Sequence, residues 1–288
     1  MPLRRTTYLP TAAWDETAAR CSGNRNPVLS APGLQLVYDA YMRSWYEEDA
    51  FWETFAPSLF TAERTSHAAA EVEAIIALLQ LQPGARLLDL CCGPGRHSLE
   101  FARHGFLVTG VDRTGSYLEQ AQQSARSEQL NIEFVKSDMR SFVRPDMFDA
   151  AINFLTSFGY FENPADDFKV VQNLATSLRV GGKFLLDANG KEVVARNFQG
   201  RKWCRNDDGT FFLEEARIID GWDLVETKWL LIGAGTTKEF TLRVRLYAAS
   251  ELTALLKRAG FREAQAFGDV YGSPYDDKAK RLVVVALR

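Results

Sequence analysis

The chain has 288 residues, 46% of them hydrophobic and 25% charged, with a formal net charge of −3. This is the composition of a globular protein with one large domain, or one domain carrying an insertion. The mildly acidic balance argues against nucleic acid or an anionic membrane as the main partner.

Residues 1–33 are rich in Pro, Asn, Ser and Arg and are expected to form an irregular arm. Their start, "MPLRRTTYLPTAAW", lacks the continuous apolar run of a secretory signal. No stretch approaches the roughly 18 apolar residues of a membrane span, so a reducing cytoplasm is the expected location. Residues 34–64 turn aromatic, and apolar residues recur at helical spacing in "LVYDAYMRSWYEEDAFWETFAPSLF". They read either as a helix packed on the main domain or as a helical lid. Tyr41, Trp45, Phe51 and Trp52 exceed what docking a short helix requires.

"SHAAAEVEAIIALLQL" predicts a helix with Ser66 as its N-cap. Strands and helices then alternate. "RLLDL", "FLVTGVD", "IEFVKSD", "FDAAINF" and "KFLLDAN" read as strands, and the segments between several of them have helical period. Gly181-Gly182 closes the helix before the fifth strand. Parallel βαβ units and an open, doubly wound α/β sheet follow. Residues 190–246 change to "FFLEEARIID", "WDLVETKWLLI" and "KEFTLRVRLY", with Asp220-Gly221 as a hairpin signal, so a small antiparallel insertion is expected. Ser250 then caps a helix ended by Gly260, and two closing strands joined by a polar loop form an antiparallel pair at one sheet edge.

The chemistry concentrates in "ARLLDLCCGPGRHSLEFA". Cys21, Cys91, Cys92 and Cys204 have no Cys-x-x-Cys spacing, and His67, His97 and His104 are poorly placed to share a metal. Gly93 and Gly95 between a strand and a helix instead make a turn that lets backbone approach a ligand. Asp112 ends the second strand where a ribose carboxylate belongs, so a nicotinamide enzyme remains open at this point. Asp89 stands inside the first strand end, placed to order the loop and a ligand's cationic end. Asp138 follows the third strand, placed to accept from an adenine amino group, with Met139 against the ring. The antiparallel closing pair is foreign to the usual dinucleotide fold.

With these residues in view, the sequence resembles the class I S-adenosylmethionine-dependent methyltransferases over residues 66–189 and 247–288. "LLDLCCGPGRHSLEFARHGFLVTGVD" is similar to the family's first motif, "KSDMR" to its adenine motif, "FDAAINFLTSFGYF" to its fourth strand, and "LRVGGKFLLD" to the glycine pair before strand five. The resemblance implies a Rossmann-like seven-stranded sheet with an antiparallel C-terminal pair, built from residues 65–189 and 247–288. Residues 190–246 would form a substrate-side cap and residues 34–64 a helical lid.

It implies S-adenosylmethionine as cofactor and S-adenosylhomocysteine as product. Gly93, Gly95 and the Cys91 backbone would surround the methionyl part, Asp112 the ribose, and Arg113, Asp138 and Met139 the adenine. Asn153 and Phe154 would lie under the sulfonium. The insertion and the aromatic segment resemble the glycine, sarcosine and amino-sugar N-methyltransferases, and Arg64 is the candidate for the cofactor carboxylate.

No general base announces itself. His97 and Tyr160 are the catalytic candidates, and Ser157, Tyr160, Arg243, Arg245 and Tyr247 the candidates for substrate contact. The arginines are included in case their strand face looks into the cleft. No metal is expected, and the number of chains in the assembly is left open. A small-molecule acceptor, with nitrogen ahead of oxygen, is the expected reading. An NAD(P)-dependent oxidoreductase, a non-catalytic cofactor-binding protein and an RNA or protein methyltransferase are its rivals.

Overall fold

The structure, a computed structural model, describes residues 44–206, 208–233 and 235–288. The arm expected over 1–33 and the first part of the aromatic segment, 34–43 with Tyr41, lie outside the described residues.

The βαβ region contains β1 (Arg86–Leu90), β2 (Leu107–Asp112), β3 (Ile132–Lys136), β4 (Phe148–Asn153) and β5 (Leu178–Ala188). The insertion contributes β6 (Arg201–Arg205), β7 (Phe211–Ile219), β8 (Leu224–Gly233) and β9 (Thr236–Arg245) as a separate antiparallel sheet. The closing strands are β10 (Glu263–Phe267) and β11 (Leu282–Leu287). Main-sheet order is β3-β2-β1-β4-β5-β11-β10, with β11 antiparallel to both its neighbours. The expected seven-stranded sheet, its antiparallel closing pair and the second sheet are all present.

Eight α-helices accompany these strands among the described residues. They are α1 (Asp49–Leu59), α2 (Ala62–Ser66), α3 (Ala68–Leu79), α4 (Arg96–Arg103), α5 (Gly115–Ser127), α6 (Pro164–Ser177), α7 (Lys191–Asn197) and α8 (Ala249–Arg258). Strand periodicity explains the core. Leu88, Leu90, Phe184 and Val284 face α6 and α8, packing on Val170, Leu174, Leu252 and Leu256. Leu87, Ile152, Leu185 and Val283 face the other way, onto Val72, Ile75, Leu79 and Phe101 of α3 and α4. A sheet buried on both faces needs continuous apolar runs, which is why "RLLDL" carries no alternation.

Several local expectations differ from what is observed. Ser66 ends α2 rather than capping a helix, and Thr61 caps α2 by accepting from the Arg64 amide at 3.2 Å. Ser250 lies inside α8, whose first turn is closed by the Ala248 amide donating to Glu251 at 2.8 Å. Gly181-Gly182 does not close a helix. It sits in a bulge of β5, where the pairing jumps from Phe148↔Leu178 to Ala150↔Lys183. The carboxyl ends of β1, β2, β4 and β5 meet along one edge of the sheet, where ligands bind in open α/β folds.

Candidate active site

β1 delivers Asp89 to that edge, and the chain then turns through Cys91 (φ 64°), Gly93 (φ 55°) and Gly95 (φ 82°) into α4. Glycine at 95 is required twice over: its φ is left-handed, and a Cβ there would lie 2.9 Å from the Ala121 Cβ on α5. Cys91 adopts the left-handed conformation without being glycine, an uncommon strain of the kind found at ligand sites. Its Sγ lies 3.6 Å from Met139 Sδ, and Cys92 is buried against Gly110. Burial, reinforced by the nearby carboxylates, pushes both thiols well above their ordinary range. They are packing groups rather than thiolates.

Asp112 closes the loop from the β2 side. Its Oδ2 accepts from the Gly93 amide and its Oδ1 from the Thr114 amide, each at 2.8 Å. Burial raises its carboxyl against the pull of those amides. Asp89, 3% exposed, accepts from Ser98 Oγ at 2.6 Å and is likewise raised by burial. Asp138 differs: burial works to raise it, but the Arg140 hydrogen bonds outweigh that and hold it below its ordinary value. Arg140 also donates to Glu47 at 2.8 Å, while Arg113 donates to the Tyr46 carbonyl at 3.0 Å and to Asp49 at 3.2 Å. The segment entering α1 is thereby fastened to both ligand-side loops.

At the end of β4, Leu155 (φ 57°) and Thr156 (φ 62°) are consecutive left-handed residues. Their amides donate to the Asp187 carboxylate and carbonyl, both at 2.9 Å. Arg281 in turn holds Asp187 and donates to Thr156 Oγ1 at 2.8 Å. His97 lies edge-on to Phe154, with ring centroids 4.9 Å apart, and its Nε2 is 2.7 Å from Glu71 Oε2. The dyad and the clamp were not legible in sequence. A carboxylate at the end of the apolar run "KFLLD" was the one available signal, for Asp187.

A cavity of about 690 Å³ runs between the glycine loop, α1, the end of β4 and the insertion sheet, a size usual for small-molecule sites. Arg64, Asp89, Cys91, Gly93, Asp112 and Arg113 are on its wall. So are Asp138, Met139, Phe154, His97, Ser157 and Tyr160, together with Arg245 and Tyr247. Gly95, Asn153 and Arg243 are not among its lining residues.

Gly95 shapes the turn from beneath, against α5. Asn153, expected under the sulfonium, is buried behind the wall, and its Nδ2 donates to the Leu90 carbonyl at 3.1 Å, tying β4 to β1. Arg243 is on the opposite face of the insertion sheet and donates to Glu226 at 2.9 Å, beside Arg217. Leu242 and Val244 reach the cavity instead, because α1 packs Phe51 and Phe55 on that sheet face. Arg245 reaches the wall, but it lies 3.5 Å from Asp167 and donates to the Glu162 carbonyl at 3.0 Å. Tyr247 donates to Asp167 at 2.8 Å. Tyr160 packs on Trp45 at 4.8 Å, and burial raises its phenol, so at neutral pH it is a hydrogen-bonding group and not a base.

Residues 87–182 match the family described as "Methyltransferase domain". A Geobacillus sp. protein provisionally named a methyltransferase is 24% identical over 210 residues, covering 71% of this chain and 85% of its own. Among solved structures, an S-adenosylmethionine-dependent methyltransferase from Clostridium acetobutylicum superposes with a TM-score of 0.67 at 19% identity, covering 82% of this chain and 98% of that one. An S-adenosylmethionine-bound amino pentose methyltransferase from Micromonospora echinaspora does so at 0.56 and 22% identity, covering 92% and 100%. The domain match and the relative named a methyltransferase make this chain a methyltransferase, on the fold of the S-adenosylmethionine-dependent enzymes, and the nicotinamide alternative falls with the match and the antiparallel β11.

Proposed function

We propose that the enzyme methylates a small-molecule acceptor, nitrogen ahead of oxygen. The observation that carries the reading is one shared cavity: the glycine loop, α1 and the insertion sheet all border a space of about 690 Å³, with α1 packed on that sheet. A space of that size suits a compact acceptor better than a polymer strand. The amino pentose methyltransferase neighbour supports nitrogen. Cys91, Cys92 and Cys204, free among the described residues, fit a reducing, cytoplasmic setting.

The residues present suit the cofactor. Each Asp112 oxygen has one backbone partner and a further lone pair for a ribose hydroxyl. Asp138 Oδ2 accepts from Arg140 and keeps capacity for an adenine amino group, with Met139 beside it. Gly93 and the turned Cys91 backbone border the space for the methionyl chain, and Arg64 stands on the wall for its carboxylate. When bound, S-adenosylmethionine supplies an electrophilic methyl group and departs as the neutral thioether.

The chain's own residues align and desolvate. Trp45, Trp52 and Tyr160 exclude water above the β4 end, and Asp187 with Arg281 fixes Leu155 and Thr156 below it. His97, oriented by Glu71, is the remaining candidate for proton handling.

The test is transfer of label from methyl-labelled cofactor in the presence of a fractionated metabolite extract, RNA and protein. Label in the small-molecule fraction is expected. Label confined to RNA or protein would refute the acceptor class.

A further inference from the structure

Three aromatic side chains meet where the cofactor side of the cavity passes to the insertion sheet. Trp45 lies edge-on to Tyr160 with ring centroids 4.8 Å apart, Trp52 is 5.7 Å from Trp45, and Tyr160 is 6.1 Å from Trp52. All three are half-buried and stand on the cavity wall. Phe51, fully buried, packs on the two indoles at 5.1 and 4.9 Å and joins them to Trp229 of the insertion sheet at 5.5 Å. Cys91 of the glycine loop packs in the same cluster, and Cys91, Ser157 and Asp112 are the groups that act on the Tyr160 phenol. The aromatic corner is therefore set beside the glycine loop.

What this corner offers a ligand is ring surface. Trp45 Nε1 donates to the Arg243 carbonyl at 3.2 Å and Trp52 Nε1 to the Tyr46 carbonyl at 3.0 Å, so both indole donors are taken. Among the described residues no Lys or Arg stands over these three rings; Arg140 lies over Tyr46 and Phe161 instead. The carboxylates on the wall are engaged as well. Glu71 is held by Arg96 and His97, Asp89 by Ser98, and Asp112 by two backbone amides. Asp138 is held by Arg140, and Glu214 by Trp229 and Lys202. An aromatic face carries the negative side of the ring quadrupole and attracts a cation, most strongly where water is excluded. Methyl transfer to nitrogen moves one positive charge from sulfur to nitrogen. A free carboxylate beside that nitrogen would hold it as the unreactive ammonium, whereas ring faces attract the charge without offering a site for the proton.

We propose that Trp45, Trp52 and Tyr160 form a cation–π subsite for a methyl-substituted ammonium centre, the form the acceptor nitrogen takes as it is methylated. This rests on the methyl-transfer reading of the same cavity with nitrogen as the acceptor atom. The amine loses its proton to solvent on entry, and its lone pair forms the bond to the methyl carbon. The carbon–sulfur pair stays with sulfur, and the charge arrives on nitrogen against the rings. The methylated ammonium product releases a proton to water on leaving. Elsewhere the wall is mixed, with Ser157, Asn189, Asn197, Gln199 and Lys280 available to the rest of the acceptor.

The experiment titrates choline and its neutral isostere 3,3-dimethylbutan-1-ol, which has carbon in place of nitrogen, into the full chain saturated with S-adenosylhomocysteine, read by calorimetry. Choline should bind at least about tenfold more tightly. Trp52→Leu should weaken choline about tenfold and the isostere less than about threefold, with the S-adenosylhomocysteine Kd within about threefold of the parent. Tyr160→Phe and Trp52→Phe keep a ring face and should hold choline within about threefold; they also cover a folding defect in the leucine variant. Equal affinity for the two probes, binding of neither, equal weakening of both in Trp52→Leu, or loss of choline binding in either phenylalanine variant overturns this inference. Each of these leaves small-molecule methylation standing. Absence of S-adenosylhomocysteine binding, or label found only in RNA or protein, overturns that reading and this inference with it.

Discussion

Arg281 grips Asp187 with two parallel hydrogen bonds, Nε to Oδ1 at 2.8 Å and Nη2 to Oδ2 at 2.7 Å, across 94 residues of sequence. Asp187 is 1% exposed and also receives the Leu155 amide, so one ion pair fixes two left-handed residues on the cavity wall. Removing one partner of a buried pair leaves the other charge uncompensated, at a cost of about 3 kcal/mol. Arg281→Met should therefore lower unfolding free energy in urea by about that amount. A loss below ~1 kcal/mol would show that the clamp does not hold the loop.

The glycine loop and its cysteines should separate cleanly. Gly95→Ala places a Cβ 2.9 Å from Ala121 at φ 82°, and should cost about 2 kcal/mol, read by thermal unfolding. Gly93→Val projects toward the Phe60 ring and the cavity and should abolish S-adenosylhomocysteine binding by calorimetry. Cys91→Ala and Cys92→Ala should keep methyl transfer within about threefold, since both thiols remain protonated. Loss of transfer with binding intact in either cysteine variant would assign the thiols a chemical role.

Asp167 makes stability depend on pH in an unusual direction. Burial pushes its carboxyl up to about 6, against the Tyr247 hydroxyl and Arg245. In the unfolded chain it titrates near ~3.9. Between those values the native state binds more protons than the unfolded state, so this group's contribution to stability falls as pH rises through the window. Asp167→Asn removes the titration. The stability of the parent relative to this variant should rise by about 1.4 kcal/mol on going from pH 7.5 to pH 5, measured by urea unfolding. An unchanged difference would contradict the assignment.

Arg243 should be silent. It stands on the outer face of the insertion sheet with Glu226 and Arg217, a solvated ion-pair row of small energetic worth. Arg243→Ala should leave kcat/KM within about twofold. A tenfold loss would restore it to the acceptor site and reverse the orientation of that sheet.

Much of this was legible because local pattern and tertiary fold agree in the βαβ half. "RLLDL" and "FLVTGVD" had the apolar density of buried strands, and Asp220-Gly221 supplied the left-handed residues of the β7–β8 turn. What escaped depends on partners distant in sequence. β6, "RKWCR", is charged and exposed, and becomes a strand because β7 places Glu214 and Glu215 opposite Lys202 and Arg201. The alternation of "FTLRVRLY" gave two faces but not which one meets the cavity, and α1 decides that through Phe51 and Phe55. Asn153 had the right strand position for the site, but its amide found the Leu90 carbonyl. The Glu71–His97 and Asp187–Arg281 pairs join residues that no local spacing connects.

The most direct test of the central claim, that Asp112 and the glycine loop hold S-adenosylmethionine in this cavity, is calorimetric titration of S-adenosylhomocysteine and NAD into the parent and Asp112→Asn proteins. The account predicts saturable S-adenosylhomocysteine binding with one site per chain, weakened about tenfold or more in Asp112→Asn, and no NAD binding. NAD binding without S-adenosylhomocysteine binding, or affinity unchanged in Asp112→Asn, would contradict it.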